Sequence, residues 1–306
     1  MNEIIPLITV TCLRDLPLLD LQAQSIHQYL DIECPVYLIV NEENPNEWND
    51  YFNQHLRQYY KKHQLTILYR NDFAGEWAQW VPHAINPWAV GWETQQVLKL
   101  AIATKITAKG YFILDSQNFL IDNWSTTLYE VPGDKIPYRF GHFVMPMEIW
   151  DQYSSALNID VEPPTKDTMS ICTPMFMSTS LVNSLIEVNG GLLEFSKWFK
   201  NASRIKSEFI LYLLWAEKNG GLLKYHFCVP DWSNPYLRDS NQFAADFDYF
   251  INFIGVVKTH VWVSANHRSW GDMTDEQYQT LVVKLKDYSL FPNFSEYRAN
   301  YVDIKI

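Results

Sequence analysis

The 306-residue chain contains no run of the roughly 18 to 20 apolar residues that a membrane-crossing helix needs, so no integral membrane segment is expected. Its start, MNEIIPLITVTCLRD, lacks a basic region and a cleavage site, and reads as a first strand rather than a signal peptide. Cysteine is scarce. Cys12, Cys34, Cys172 and Cys228 lie far apart with no C-x-x-C pair, which excludes a zinc cage or a disulfide framework and points to the cytoplasm. Basic charge is in deficit, with 24 Lys and Arg against 35 Asp and Glu and a formal charge of −11. A nucleic-acid partner normally requires a broad basic face, so none is expected; a small polyanion held by a few concentrated cations remains open. Internal repeats, low-complexity tracts and Ser/Gly linkers are also missing, which leaves one α/β domain over residues 1–306 as the simplest organisation.

What is present suits a large core: 47% of the residues are apolar and 19% charged. The 12 Trp and 18 Tyr can stack on sugars, although core packing is the ordinary use of such rings. IIPLITVTCL is a β-branched strand, followed by DLPLLDLQAQSIHQYL with Leu19, Ala23, Ile26 and Leu30 at helical spacing. CPVYLIVNEE, NEWNDYFNQHLRQYYKKH and LTILYRND continue as strand, helix and strand. This alternation predicts a parallel sheet, and ligands of such sheets sit at the carboxyl ends of the strands. Thr11, Arg14, Asn41 and Asp72 fall on that rim.

A Pro- and Trp-rich connection leads to GWETQQVLKLAIATKI, a helix with Val97, Leu100, Ala101 and Thr104 on its inner face and Trp92, Gln95 and Lys99 on another stripe. The strand GYFILDS then ends at Asp115. YRFGHFVMP, MSICTPMFMST and LLKYHFCVP read as strands. LVNSLIEVNGG, SRIKSEFILYLLWAEKNGG and DEQYQTLVVKLKDYSLF read as helices, the first two capped by glycine pairs.

Chemistry concentrates around FILDSQN. A carboxylate emerging at a strand end can bind a divalent cation that neutralises a departing diphosphate, and Asp, Ser and Asn are equally the residues of a plain turn. The preceding helix offers the amides of Gln95 and Gln96 for sugar hydroxyls and the Lys99 ammonium for phosphate charge; the bland alternative is a solvated polar stripe.

ITVTCLRDLPLLDLQAQSI, VYLIVNEEN, GWETQQVLKLAIA, YFILDSQNFLI, HRSW and SEYRANYV occur in this order, spanning most of the chain. Together they resemble an uncharacterised family of bacterial and phage proteins classed as GT-A-fold glycosyltransferases. The resemblance implies a GT-A-like, Rossmann-type mixed sheet flanked by helices. Residues 1–122 would bind the nucleotide sugar, and a variable half, 123–306, the acceptor. It also implies transfer of a sugar from a nucleotide donor, most often a UDP-sugar, to the hydroxyl of a carbohydrate or other acceptor. Thr11, Arg14, Asn41, Gln95, Gln96 and Lys99 would face the donor.

The Asp-x-Asp motif of many such enzymes falls on Asp115 and Gln117. The second position is neutral, so Mn2+ or Mg2+ would be held with one carboxylate fewer. Asn118 could add a carbonyl oxygen. A late histidine, His267 or else His260, could complete the metal site, and Arg268 could grip the diphosphate. Glu208, opening a helix, is the candidate catalytic base or acceptor-orienting acid beside Asp115, with the helix dipole as the alternative reason for its place. Asp231 and Asp239 are weaker candidates in a loop, and His142 and Glu148 lie where a sugar pocket would be.

Two other classes fit parts of the sequence. A sugar nucleotidyltransferase needs a glycine-rich loop after its first strand, and TCLRDLP has no glycine. A non-catalytic carbohydrate- or nucleotide-sugar-binding protein on the same fold is favoured by Gln117.

Overall fold

The computed structural model describes residues 4–75, 89–124, 135–142, 146–164, 167–169, 172–229, 236–237, 243–256, 262–265 and 273–291. Strands β1 (Leu7–Thr11), β2 (Pro35–Val40), β3 (Gln64–Tyr69) and β4 (Gly110–Asp115) are parallel, in the order β3-β2-β1-β4. The short strand β5 (Asn118–Leu120) follows the turn after β4. An antiparallel strand, Met175–Ser178, pairs with β4 and completes a five-stranded sheet; in chain order it is β8, after β6 (Ile136–His142) and β7 (Asp167–Met169).

Helices α1 (Leu16–Tyr29), α2 (Asn46–Tyr51) and α3 (Ala89–Ala101) connect the parallel strands, as the alternation in the sequence predicts. The second half adds α4 (Met147–Leu157), α5 (Thr179–Val188), α6 (Leu192–Ala202), α7 (Glu208–Lys218) and α8 (Leu222–Tyr225). Beyond them lie β9 (His226–Val229), β10 (Tyr236–Leu237), α9 (Phe243–Val256), β11 (Trp262–Ala265) and α10 (Asp275–Lys286). Two three-stranded sheets, β10-β11-β5 and β7-β6-β9, flank the main one.

Alternation along the strands sorts the core. Ile8, Val10, Tyr111 and Ile113 pack with α3, α4, α5, α6 and α7, whereas Leu7, Phe112 and Leu114 pack with α1 and α2. Each such side chain, taken fully out of water, contributes about 1.5–3 kcal/mol. Asp115 shares its parity with Tyr111 and Ile113, so the pleat aims it at the α3 and α7 side. Gly110 is required at the start of β4: a Cβ there would meet Ile136 Cγ2 at 2.7 Å and the Met177 carbonyl oxygen at 2.9 Å.

Four local expectations change; the first is LLKYHFCVP, where only His226–Val229 is strand (β9) and Leu222–Tyr225, opened by Gly221, is the short helix α8. The long second helix is α-helical only over α2; it widens into a π-type turn at Phe52–Leu56 and tightens to a 3-10 turn at Arg57–Tyr60. Its buried stripe of Trp48, Phe52, Leu56 and Tyr60 repeats every four residues. A regular α-helix would rotate such a stripe by about 40° per step, and the underwound π-type turn between Phe52 and Leu56 offsets part of that rotation. Thr104 is exposed and not on an inner helical face, because α3 ends at Ala101 and the Thr104 hydroxyl donates to the Ala101 carbonyl. The segment read as one strand around Cys172 is two strands, β7 and β8, with a cis Thr173–Pro174 bond between them. The glycine pairs do cap α5 and α7, with φ of +86° and +94° at Gly190 and Gly191 and +109° and +90° at Gly220 and Gly221.

The aromatic wealth serves the core first. Trp48, Trp124, Trp150 and Trp262 are fully buried, and Trp124 meets Trp262 edge to face at 4.8 Å. Among the described residues no helix is long and apolar enough to cross a membrane.

Candidate functional site

Asp115 sits at the carboxyl end of β4, opposite Val10 of β1, with its side chain about one-quarter exposed. The turn behind it is held from both sides. Asn118 Oδ1 accepts the Asp115 backbone N–H at 2.6 Å, and Asn118 Nδ2 donates to Ser264 Oγ of β11 at 2.5 Å. On the α1 side, Gln22 donates through Nε2 to the carbonyls of Asp115 (2.8 Å) and Asn118 (2.9 Å) and accepts from the Thr9 hydroxyl. Buried polar atoms satisfied this fully fix a backbone firmly.

Among the described residues the Asp115 carboxylate has three partners. Oδ1 meets Lys99 Nζ at 2.7 Å and accepts from Gln95 Nε2 at 3.2 Å; Oδ2 accepts from the Thr173 hydroxyl at 2.7 Å. Lys99 also pairs with Glu208 Oε1 at 2.9 Å and lies over the Phe209 ring at 5.2 Å. Only 2% of Lys99 and 1% of Glu208 is exposed, so the pair is a buried one, beside the partly exposed Asp115. Burial pulls the Lys99 ammonium down, but Asp115 and Glu208 outweigh it and hold its pKa above the ordinary lysine value. Burial pushes Glu208 up; Lys99 opposes this, and the Asp115 charge adds to it. Ser207, whose hydroxyl caps α7 by accepting the Ile210 N–H, sets the start of the helix that carries Glu208.

The fold thus brings Gln95, Lys99, Asp115, Asn118 and Glu208 into one cluster. Their assignments shift in detail. Lys99 is neither on a solvated stripe nor free to meet a phosphate, since two carboxylates enclose it. Asn118 is fully buried and spends its carbonyl on the turn, so the expected metal oxygen is engaged elsewhere. Gln96 is buried and donates to the Trp92 carbonyl of its own helix, so it is not offered to a ligand.

The rest of the rim is as the strand order predicts, with local uses added. Asn41 follows β2 and ties it to α3 by donating to the Gly91 carbonyl and to Thr94 Oγ1, each at 2.9 Å. Thr11 ends β1 with a buried hydroxyl that has no hydrogen-bond partner among the described residues. Arg14 lies 3.9 Å from Asp15 and is well exposed. Asp15, which carries no local signal in the sequence, is raised by burial and, among smaller causes, by the nearby charges of Asp115 and Glu42, with Arg14 opposing. Asp72 accepts the Tyr69 N–H in a local turn. Glu148 is exposed and bonded to Gln152. His260, His267, Arg268, Asp231 and Asp239, and the side chain of His142, lie outside the described residues.

Gln22, Thr173 and Ser264 also escaped the sequence reading. Only Gln22 left a signal there, as a polar residue inside the buried stripe of α1. Beside the cluster a cleft of about 830 Å3 opens, lined by Glu93, Asp151, Gln152, Lys200, Arg204 and Lys206 among others. Its link to the cluster is Lys206, two residues before Glu208 in the chain.

The donor set fits a divalent cation poorly. No group of three or more His, Cys, Asp or Glu side chains that could hold a metal exists among the described residues. Hard cations favour several anionic oxygens, and both Asp115 oxygens are already engaged. What the arrangement offers is a rigid, half-neutralised carboxylate at a sheet rim, with acceptor capacity for one more hydrogen bond left by the described residues.

Sheet order, antiparallel β8 and helix placement together define the GT-A-like glycosyltransferase fold. The structure superposes on the bifunctional glycosyltransferase WbbM with a TM-score of 0.54 at 11% identity, covering 98% of this chain and 52% of WbbM. Mouse xyloside xylosyltransferase 1 matches with a TM-score of 0.51 at 10% identity, over 87% of this chain and 98% of that one. An active-site mutant of LgtC matches with a TM-score of 0.51 at 12% identity, over 96% and 100%. The chain spans about half the length of WbbM. The chain belongs to the family of unknown function DUF6492, whose sequence model matches residues 2–249. No curated protein matches it in sequence.

Proposed function

We propose that this protein is a glycosyltransferase that moves a sugar from a nucleotide-sugar donor, most readily a UDP-sugar, to a hydroxyl of a carbohydrate or other acceptor. The observation that carries the reading is Asp115, held rigidly at the carboxyl end of the central strand on a glycosyltransferase fold. Ligands of open α/β sheets bind at that edge. On this reading Thr11, Arg14, Asn41 and Gln95 face the nucleotide sugar. Asp115 accepts a donor hydroxyl, and Glu208 acts through Lys99 to position it. The cleft along α4 and α6 suits a polar acceptor. Catalysis then rests mainly on orientation and on stabilising the departing diphosphate. Mn2+ or Mg2+, expected from the fold class, finds no adequate donor set in the described residues, and no step is assigned to it. Arg268 and His267 stay as candidates for the diphosphate end.

Saturating UDP is expected to raise the melting temperature, and a panel of UDP-sugars to release UDP slowly by hydrolysis. Asp115→Ala should abolish that release while keeping the fold. Absence of any shift with every nucleoside diphosphate would sink the proposal. Binding without release would favour the non-catalytic alternative, for which the neutralised Asp115 is the supporting observation.

A further inference from the structure

We infer that Lys99 is a built-in cation at the carboxylate site, standing where a divalent metal would sit between Asp115 and Glu208. Its ammonium lies 2.7 Å from Asp115 Oδ1 and 2.9 Å from Glu208 Oε1, so both oxygens converge on one positive centre. The site is built around it. The aliphatic stem of Lys99 rises from a buried face of α3, the Phe209 ring backs the charge, and Ser207 caps the helix that presents Glu208. Gln95 and Thr173 take further acceptor positions on Asp115, leaving one of about four. A divalent ion would have to displace these donors and approach an ammonium of like charge. A histidine supplied from elsewhere in the chain would not free those oxygens. Asp15, whose carboxylate feels the charge of Asp115, already has the Arg14 guanidinium 3.9 Å away, so it too stands beside a resident cation.

The inference concerns the same site as the proposed function. It rests on that reading only for one consequence, that UDP binding resists chelation. The primary test needs no nucleotide: Mn2+ is titrated into the whole protein and followed by electron paramagnetic resonance. Wild type is expected to bind no Mn2+ in the micromolar range. Lys99→Met, with the two carboxylates vacated, is expected to bind it at least about tenfold more tightly and to gain a Mn2+-dependent rise in melting temperature.

Micromolar binding by wild type that disappears in Asp115→Asn or Asp15→Asn overturns the inference, as does Lys99→Met that folds and gains nothing. Should Lys99→Met fail to fold, the wild-type and Asp115→Asn titrations decide it alone. If UDP binds wild type only when Mn2+ is present, the inference is likewise overturned. If UDP binds under neither condition, the nucleotide reading falls and the Mn2+ titration still decides this one.

Discussion

Two buried polar clusters hang from the same face of α7, one turn apart, and they are built on opposite plans. Glu208 opens the helix and pairs with Lys99 and, through it, Asp115, a charged cluster that reaches the sheet rim. Tyr212, four residues on, accepts the Ser178 N–H at 2.8 Å and lies 2.6 Å from His226 Nε2, whose other ring nitrogen faces the Pro137 carbonyl at 3.4 Å. This second cluster is neutral and closed. Burial lowers His226 to about 3 and raises Tyr212, so neither is charged near neutral pH. Neutral groups need only hydrogen bonds to be buried, whereas a buried ion needs a counter-ion in good geometry. The closed cluster holds β6, β8 and β9 to α7; the charged one keeps a carboxylate ready at an open edge.

The contrast is tested most severely by removing one ion. Lys99→Met should destabilise the protein by about 3–5 kcal/mol in urea denaturation, because Glu208 is left buried without a partner. Adding Glu208→Gln should recover a large part of that loss, and additive losses in the double variant would show that the two residues are not coupled.

Tyr212→Phe should be milder, about 1–3 kcal/mol, since it strands the Ser178 N–H and a ring nitrogen but no charge. A loss equal to that of Lys99→Met would erase the distinction between the clusters.

Acid should expose the neutral cluster. Burial depresses His226 to about 3 and His63 to about 4, against about 6.5 for an unfolded histidine. The unfolded chain therefore binds more protons in that interval. The stability these groups contribute is whole above about pH 6.5 and is lost as pH falls toward 4 and then 3. Each adds up to about 1.4 kcal/mol per pH unit, and thermal melts of His226→Gln between pH 4 and 7 should show a shallower slope than wild type.

The smallest effect is expected for Ser207→Ala, about 1 kcal/mol from the lost cap, measured by thermal melting. It loosens the end of α7 that bears Glu208, so it should disturb the charged cluster more than Tyr212 one turn inward.

Much of the fold was legible because its signals are local. Continuous apolar, β-branched runs mark β1, β2 and β4, and glycine pairs mark the ends of α5 and α7. The α2 region reads as one long helix because apolar residues four apart fit an ordinary helix, and nothing local marks the change to a π-type and then a 3-10 turn. Helices α4, α6 and α9 were not anticipated. At the site, Asp115 could be read from its place at a strand end. Thr173 and Ser264 could not, as each reaches the turn from a segment at least 55 residues away.

The sequence by itself determined the alternating strands and helices and the rim on which Asp115 falls; β4 is apolar on both faces, so only the fold decided which face its carboxylate takes. Only the tertiary structure decided what that carboxylate meets. Lys99 and Glu208 are 109 residues apart, on helices whose packing brings them together. Whether a lysine is a solvated charge or a buried counter-ion depends on the surfaces that close over it, and no local pattern encodes that.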